Sequence, residues 1–260
     1  TQRVRSERWR RNWPGPPEFW ALVLKDWVCL RRSPATTHAV AMSLILGLAL
    51  GVLPVWLVHG LAAPDSSWQR MLPVVVAVPV VVAANLASIS ISANYFGTVD
   101  RDGLATLMLS PVDRRYVLLS SSLVSLVPAM GMSLLLLALV ALVARMWVVF
   151  AGGAVLALLL NLSTAPFYSL AGIIGARRQE VEQWSRDSGN MWSLLAWLIA
   201  LPPVPLLVAV PYLLWRPALL ATLPLAVVYA VGLNLLTLRP LARLLDRRAD
   251  QIVQAVSEQT

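Results

Sequence analysis

Six long apolar segments constrain this sequence more than any other feature. Each is near or above the roughly 20 residues that a helix needs to cross a bilayer, and none contains Asp, Glu, Lys or Arg. The segments are 38–58, 72–96, 117–144, 147–171, 191–214 and 217–238. They are continuously apolar and lack the alternation of a transmembrane β-strand. We therefore predict an all-α integral membrane protein with six transmembrane helices.

The composition excludes an ordinary soluble domain. Hydrophobic residues make up 58% of the chain and charged residues 13%, whereas soluble domains carry roughly a quarter charged residues. The net charge of +8 does not indicate nucleic acid, because the basic residues lie between apolar segments and form no continuous basic face. We expect membrane lipid as a partner and no nucleic acid.

Basic residues predict the orientation of the spans. The segments 1–37, 97–116, 172–190 and 239–260 hold 18 of the 21 Lys and Arg residues, and the other three connections hold one each. The positive-inside rule places the four basic segments, and both termini, in the cytoplasm. The preference for Arg over Lys is typical of high-GC bacterial genomes, so we expect a multi-pass protein of the bacterial cell (inner) membrane.

Three regions follow from this topology: a cytoplasmic arm with an amphipathic helix (1–37), a six-span transmembrane domain (38–238) and a cytoplasmic C-terminal tail (239–260). The amphipathic helix is predicted to start at Pro17 and to end at Ser33-Pro34. It is too short and too polar to span, so it should lie in the membrane interface. Its predicted apolar side consists of Phe19, Trp20, Val23, Trp27 and Leu30.

Small polar residues and prolines interrupt the spans. Asn85, Ser88 and Ser92 form a stripe in the second span, and Asn161 and Tyr168 lie in the fourth. These side chains either pack between helices or line a path for a substrate, and the sequence leaves both readings open. The fifth segment contains four prolines, at 202, 203, 205 and 211, and is predicted to form short pieces near the outer face.

No catalytic or metal-binding motif is apparent. The chain contains no GxxxxGK[ST] phosphate loop and no GxSxG serine. His38 and His59 lie at opposite ends of the first span, too far apart to share a metal, and the single Cys29 excludes a cysteine cluster. We expect no enzymatic activity, no metal and no cofactor in this chain.

The connection between the second and third spans carries a dense group of charges. Its sequence from Phe96 to Arg115 is FGTVDRDGLATLMLSPVDRR. Asp100 can cap a short helix with Asp102 in its first turn, and Leu104, Leu107 and Met108 form an apolar face. The following Ser-Pro-Val-Asp, 110–113, is predicted to be a capping box at the start of span three.

Two segments resemble the permease subunits of type-2 ABC exporters. They are LVLKDWVCLRRSPAT (22–36) and FGTVDRDGLATLMLSPVDRRYVLLSSSLV (96–124). The family places an amphipathic cytoplasmic helix before six spans, a coupling helix between spans two and three, and a broken element between spans five and six. The second segment departs from the family at Ser120–Ser122, where many members carry Gly-Lys.

The resemblance implies a transmembrane subunit for efflux of an apolar or amphipathic drug, lipid or peptide. Separate ABC ATPase subunits would bind ATP and Mg²⁺, and a second six-span unit would be a copy, a different subunit or the other half of a longer chain. The residues implied in ATPase coupling are Asp100, Arg101, Asp102, Leu104, Leu107 and Met108, then Arg177, Arg178, Glu180 and Glu182. Asn85, Ser88, Ser92, Asn161 and Tyr168 are candidates for the substrate path.

Two alternatives remain open. A membrane scaffold or lipid-interacting protein that transports nothing would have the same hydropathy. A proton-coupled carrier would have the same spans, but such carriers commonly need an ionisable residue inside the membrane, and the six segments contain no Asp, Glu, Lys or Arg.

Overall fold

The computed structural model describes residues 16–61, 67–93, 107–108, 110–175, 195 and 198–257. Within these ranges the chain is helical apart from short connections and contains no strand, which confirms the predicted all-α class. The helices are α1 (Pro17–Arg32), α2 (Pro34–Leu61), α3 (Ser67–Ala93), α4 (Arg114–Ala144), α5 (Trp147–Ile174), α6 (Pro203–Leu214) and α7 (Leu219–Ser257). A 3₁₀ turn at Arg216–Ala218 precedes α7.

In the described part of the chain, four helices are long and apolar enough to cross a membrane. The qualifying stretches are Thr36–Leu53, Arg114–Ala144, Trp147–Ile174 and Leu219–Gln254. Two shorter apolar stretches, Pro73–Asn85 and Leu198–Leu214, lie in the regions predicted as spans two and five. The protein is therefore a multi-pass membrane protein, and the count of six spans with both termini inside stays a prediction.

The amphipathic helix α1 has the predicted bounds, Pro17 to Arg32. Pro17 needs no backbone N–H in the first turn, and Glu18 there and Arg31 and Arg32 in the last turn complement the helix dipole. Its most buried face, however, is Leu22, Asp26 and Leu30. Of the predicted apolar side only Leu30 is fully buried, while Phe19, Trp20, Val23 and Trp27 are half-buried. The cause is that α1 docks on α4 with the Leu22–Leu30 stripe.

A tight turn joins α4 to α5. Arg145 ends α4 in the left-handed conformation, with φ 53° and ψ 34°, a position that usually carries glycine. Its neighbour Met146 donates its backbone N–H to the carbonyl of Ala141, and α5 begins at Trp147. Two helices that are each long enough to cross a membrane, α4 and α5, are thereby folded back on one another.

The proline-rich fifth segment is broken, in agreement with its sequence. Leu201 and Pro202 form a bend, and the short helix α6 starts at Pro203, where the first turn tolerates proline. The last helix differs from the prediction because it does not end near 238. α7 continues through Pro240 to Ser257 as one helix of 39 residues, so most of the predicted tail is helical.

Two apolar clusters hold the helices together. The central cluster contains residues of six helices: Val55 of α2; Val76, Ala77, Val80, Val81 and Ala84 of α3; Met132, Leu136, Leu137, Val140 and Ala144 of α4; Val149, Leu156, Ala157, Leu159 and Leu160 of α5; Val204 of α6; and Ala226 and Ala230 of α7. The second, which we name the basic-end cluster, contains Leu22, Leu30, Leu107, Met108, Val117, Leu118, Val124, Ile173, Leu241, Ala242, Leu245 and Ile252. It lies where α1, the start of α4, the end of α5 and the late part of α7 meet.

Glycines let the helices approach closely in the central cluster. A Cβ atom on Gly47 of α2 would lie 2.3 Å from Leu136 Cδ1, and one on Gly153 of α5 would lie 2.5 Å from Leu137 Cδ2. Both leucines belong to α4 and are fully buried. Since lipid gives helices no hydrophobic drive to associate, such close packing is a main source of their cohesion.

Candidate functional site

Most of the residues implied in ATPase coupling lie outside the described part of the chain. These are Asp100, Arg101, Asp102, Leu104, Arg177, Arg178, Glu180 and Glu182. Leu107 and Met108 are described, and both are helical. The structure therefore defines the end of the predicted coupling helix and its attachment to the spans.

Leu107 and Met108 are covered by the chain itself. Their side chains are 6% and 8% exposed and belong to the basic-end cluster, together with residues of α1, α4 and α7. The apolar face predicted at these two positions is therefore already packed in a cluster with α1 and α7. A contact between an ATPase and these two side chains stays a prediction, and it would require α1 and α7 to move away from them.

Arg114, the first residue of α4, connects three elements. Its Nη1 and Nη2 atoms donate hydrogen bonds to the carbonyls of Leu107 at 2.9 Å and Met108 at 2.5 Å, and its Nε donates to Asp246 Oδ1 of α7 at 2.8 Å. The guanidinium fork presents several donors in one plane, which suits two neighbouring carbonyls at the end of a helical turn. Its side chain is only 13% exposed, whereas that of Asp246 is 60% exposed. We name this set of contacts the Arg114 junction.

The predicted capping box at 110–113 is wrong in its details. The residue that caps α4 is Asp113, whose Oδ1 accepts a hydrogen bond from the backbone N–H of Arg115 at 2.9 Å. Ser110 instead closes the preceding turn, because its Oγ donates to the carbonyl of Leu107 at 2.8 Å. Between Met108 and Arg114, the Ser110 side chain thus closes one helical element and the Asp113 side chain caps the next.

A buried carboxylate fixes α1 to α4. Asp26 is 1% exposed, and its Oδ2 accepts a hydrogen bond from Ser120 Oγ at 2.7 Å. The Lys25 ammonium lies 3.3 Å from the other oxygen and supplies a countercharge. Burying a carboxylate is costly unless it is paired and hydrogen-bonded, so Ser120 and Lys25 make this position tolerable. Ser120 lies at the point where the sequence departs from the exporter family.

The polar residues of the second and fourth spans meet in one layer. Asn85 Nδ2 donates to Asn161 Oδ1 at 3.0 Å, and the hydroxyl of Tyr168 donates to Asn85 Oδ1. Thr164 Oγ1 lies 3.5 Å from Asn85 Nδ2. All four side chains are at most 4% exposed. Along α5 this layer lies between the central cluster, which ends at Leu160, and Ile173 of the basic-end cluster.

These hydrogen bonds account for the layer as interhelical packing, one of the two readings of the sequence. Asn161 Nδ2 also donates to the carbonyl of Ala157 at 2.8 Å, so both amides are engaged within the chain. Asn85, Asn161 and Tyr168 are brought together, whereas the side chains of Ser88 and Ser92 lie outside the described residues. A role in a substrate path stays a prediction for all five.

A third polar contact supplies a hydrogen-bond donor that the backbone of α5 lacks. Pro166 has no N–H, so the carbonyl of Leu162, four residues earlier, has no helical donor. Asn234 of α7 donates its Nδ2 to that carbonyl at 2.6 Å. Lipid offers an unpaired backbone carbonyl no hydrogen-bond donor, so this side chain replaces the donor that Pro166 lacks.

The sequence interpretation missed Arg114, Asp246, Asp26, Ser120 and Asn234 as structural contacts. A signal existed for two of them. Asp26 follows Leu22 and precedes Leu30 at spacings of four, and Pro166 marks a carbonyl that needs a donor. For Arg114 and Asp246, 132 positions apart, no local pattern indicates the pairing.

The described side chains were also compared with the requirements of a metal site. No group of three or more His, Cys, Asp or Glu side chains in the described part of the chain could hold a metal ion. Comparisons with protein-family models, curated proteins and solved structures give no significant match. Function has to be inferred from the geometry of the junction and the spans.

Proposed function

We propose that this chain is the transmembrane permease subunit of an ATP-driven exporter of the ABC type, located in the bacterial cell (inner) membrane. It would act with separate ATPase subunits that bind ATP and Mg²⁺. A second six-span unit, whether a copy, a different subunit or the other half of a longer chain, would complete the path. The substrate class is an apolar or amphipathic drug, lipid or peptide.

The Arg114 junction is the observation that carries this proposal. A permease driven from outside the membrane needs a cytoplasmic element that is mechanically joined to its spans. Arg114 holds the end of the segment before α4 by two carbonyls and belongs to α4 itself. The basic-end cluster adds an apolar contact between the same segment, α1 and α7. A displacement of the 100–109 segment would therefore be passed to α4 and to α7.

The burial of Leu107 and Met108 changes which residues are expected to contact the ATPase. Substituting either side chain would disturb the chain's own core, so the coupling surface is better sought at Asp100, Arg101, Asp102 and Leu104. The second predicted inner loop contributes Arg177, Arg178, Glu180 and Glu182 to the same proposal. Charged residues of both signs allow specific pairing with a partner protein.

The test is purification of the chain from its own membrane, followed by reconstitution with the ATPase that co-purifies with it. Arg101→Glu is expected to reduce co-purification of the ATPase and ATP-dependent transport severalfold, because it reverses a charge on the proposed surface. Arg145→Glu is the matched control, since it reverses the charge of an exposed arginine at the turn between α4 and α5, at the opposite end of α4 from the junction. Thermal unfolding of both variants separates a lost contact from a lost fold.

Three outcomes decide between the functions. Transport that requires ATP hydrolysis and falls with Arg101→Glu supports the exporter. Transport that persists without ATP and collapses with an uncoupler contradicts it and supports the proton-coupled carrier. An intact, folded chain that binds no ATPase and moves no substrate contradicts it in favour of the membrane scaffold or lipid-interacting protein.

A further inference from the structure

An apolar groove lies between α5 and α7 on the outside of the basic-end cluster. Its walls are Pro166, Phe167 and Leu170 on one side and Thr237, Pro240 and Leu244 on the other. The cavity volume is about 270 Å³. This is slightly below the range of about 300–1,000 Å³ that is typical of pockets for complete small molecules. The groove therefore suits part of an elongated apolar molecule.

The groove offers a ligand no free polar group. Thr237 is the one polar side chain among its lining residues, and its hydroxyl donates to the carbonyl of Leu233 in its own helix at 2.6 Å. A hydrocarbon chain can fill such a space without leaving a buried polar atom unpaired. A polar solute would lose its hydration there and gain no hydrogen bond in return.

Arginines mark one end of the groove. Leu241, which also lines it, is followed at helical spacings by Leu244 and Arg248, so Arg248 lies on the same side of α7. The rise from Leu244 to Arg248 is about 6 Å, one turn further along the helix. Arg247 is adjacent and exposed. The acidic Asp246 lies on another side of α7, where it contacts Arg114.

We propose that this groove binds one acyl chain of an anionic phospholipid, with the lipid phosphate held by Arg247 and Arg248. The apolar walls match the chain, and the arginines one turn beyond match the headgroup by charge. Basic pockets between transmembrane helices at a membrane surface are favourable sites for anionic lipids. Guanidinium groups bind phosphate by paired hydrogen bonds.

This lipid is a resident ligand of the chain and is independent of any transported substrate. Binding depends only on the membrane location of α5 and α7, so it can be measured whether or not the chain exports anything. Lipid binding would affect the Arg114 junction, because Leu241 of the groove also belongs to the basic-end cluster. An occupied groove would hold α7 against α5 close to the Leu107 and Met108 side chains.

The experiment is native mass spectrometry of the purified full chain with phosphatidylglycerol and phosphatidylcholine of identical acyl chains. Wild type is expected to retain phosphatidylglycerol preferentially. Arg248→Gln should reduce that preference about fivefold, which corresponds to roughly 1 kcal/mol for one basic residue near an anionic surface. Arg248→Lys keeps the charge and should restore most of the preference. Arg239→Gln removes the same charge from another side of α7 and should leave the preference unchanged.

Two further variants keep the proposal testable. Arg247→Gln changes an exposed side chain, so it should lower the preference without affecting the fold. Thr237→Phe narrows the groove and should reduce retention of both lipids. Equal retention of the two lipids by wild type would overturn the proposal. So would an equal loss of preference in Arg239→Gln and Arg248→Gln, because a general surface charge would then explain the binding.

Discussion

Arg114 Nε lies 2.8 Å from Asp246 Oδ1, and this ion pair joins the first residue of one long helix to the late part of the last helix. The same guanidinium donates to the carbonyls of Leu107 and Met108. One side chain thus ties the segment before α4 to two spanning helices. Its contacts differ in strength, because the carbonyl contacts are shielded while Asp246 is 60% exposed.

Arg114→Gln is expected to destabilise the chain by about 2 kcal/mol, since it removes charge-assisted hydrogen bonds to two carbonyls. Asp246→Asn should cost less than about 1 kcal/mol, because exposed ion pairs are weak. Thermal unfolding of both variants in detergent measures the difference. Equal losses of stability would mean that the ion pair with Asp246 contributes most of the stability of the junction, and that the hydrogen bonds to the Leu107 and Met108 carbonyls contribute little.

Ser120→Ala should destabilise the chain by about 1–3 kcal/mol, because it deprives the buried Asp26 carboxylate of a donor. Ser121→Ala is the matched control. Ser121 is also buried in α4, but its hydroxyl donates to the carbonyl of Leu118 in its own helix. In the Asp26→Asn background, Ser120→Ala should cost much less stability if the two side chains act as a pair. Additive effects would show that Ser120 acts independently of α1.

The Asn85 layer gives a test that separates packing from transport. Tyr168→Phe removes the donor to Asn85 and should lower the free energy of unfolding by about 0.5–1.5 kcal/mol, the range of interhelical hydrogen bonds in membranes. Tyr229→Phe, at a half-buried position of α7, should change stability little. If Tyr168→Phe altered substrate selectivity without changing stability, the layer would line a path instead.

Asn234→Ala should cost about 1 kcal/mol, because the carbonyl of Leu162 then has no donor. Restoring a backbone N–H at 166 should remove the need for Asn234. In the Pro166→Ala background, the cost of Asn234→Ala is therefore expected to shrink towards zero. Thermal unfolding of the four proteins in this cycle measures the coupling. An equal cost of Asn234→Ala in both backgrounds would contradict the proposal that Asn234 replaces the donor missing at Pro166.

Local sequence rules could predict the outlines of this fold. Pro17 is a strong signal for the start of a helix and Ser33-Pro34 for its end, and α1 has those bounds. Apolar length likewise predicted four helices that are long and apolar enough to cross a membrane, while the count of six spans stays a prediction. The rules were weaker where a residue's role depends on distant elements. The stripe of α1 that docks on α4 includes the carboxylate of Asp26, which a helical pattern of apolar residues would place on the polar side. The sequence gives no local sign of its burial, because its partner Ser120 lies 94 positions away.

The residues predicted to take part in ATPase coupling show the same limit. Periodicity correctly grouped Leu107 and Met108 as apolar neighbours, yet it could not say what covers them. The answer depends on α1 and on the continuation of α7 to Ser257. The sequence analysis predicts a tail from residue 239, but α7 continues through Pro240 to Ser257.

The central claim is that this chain works as part of an ATP-driven assembly. Native mass measurement of the complex purified from its own membrane tests it most directly. We predict two ATPase subunits together with two six-span units, at least one of them formed by this 28.4 kDa chain. A mass corresponding to this chain alone, or to copies of it without any ATPase, would contradict the account.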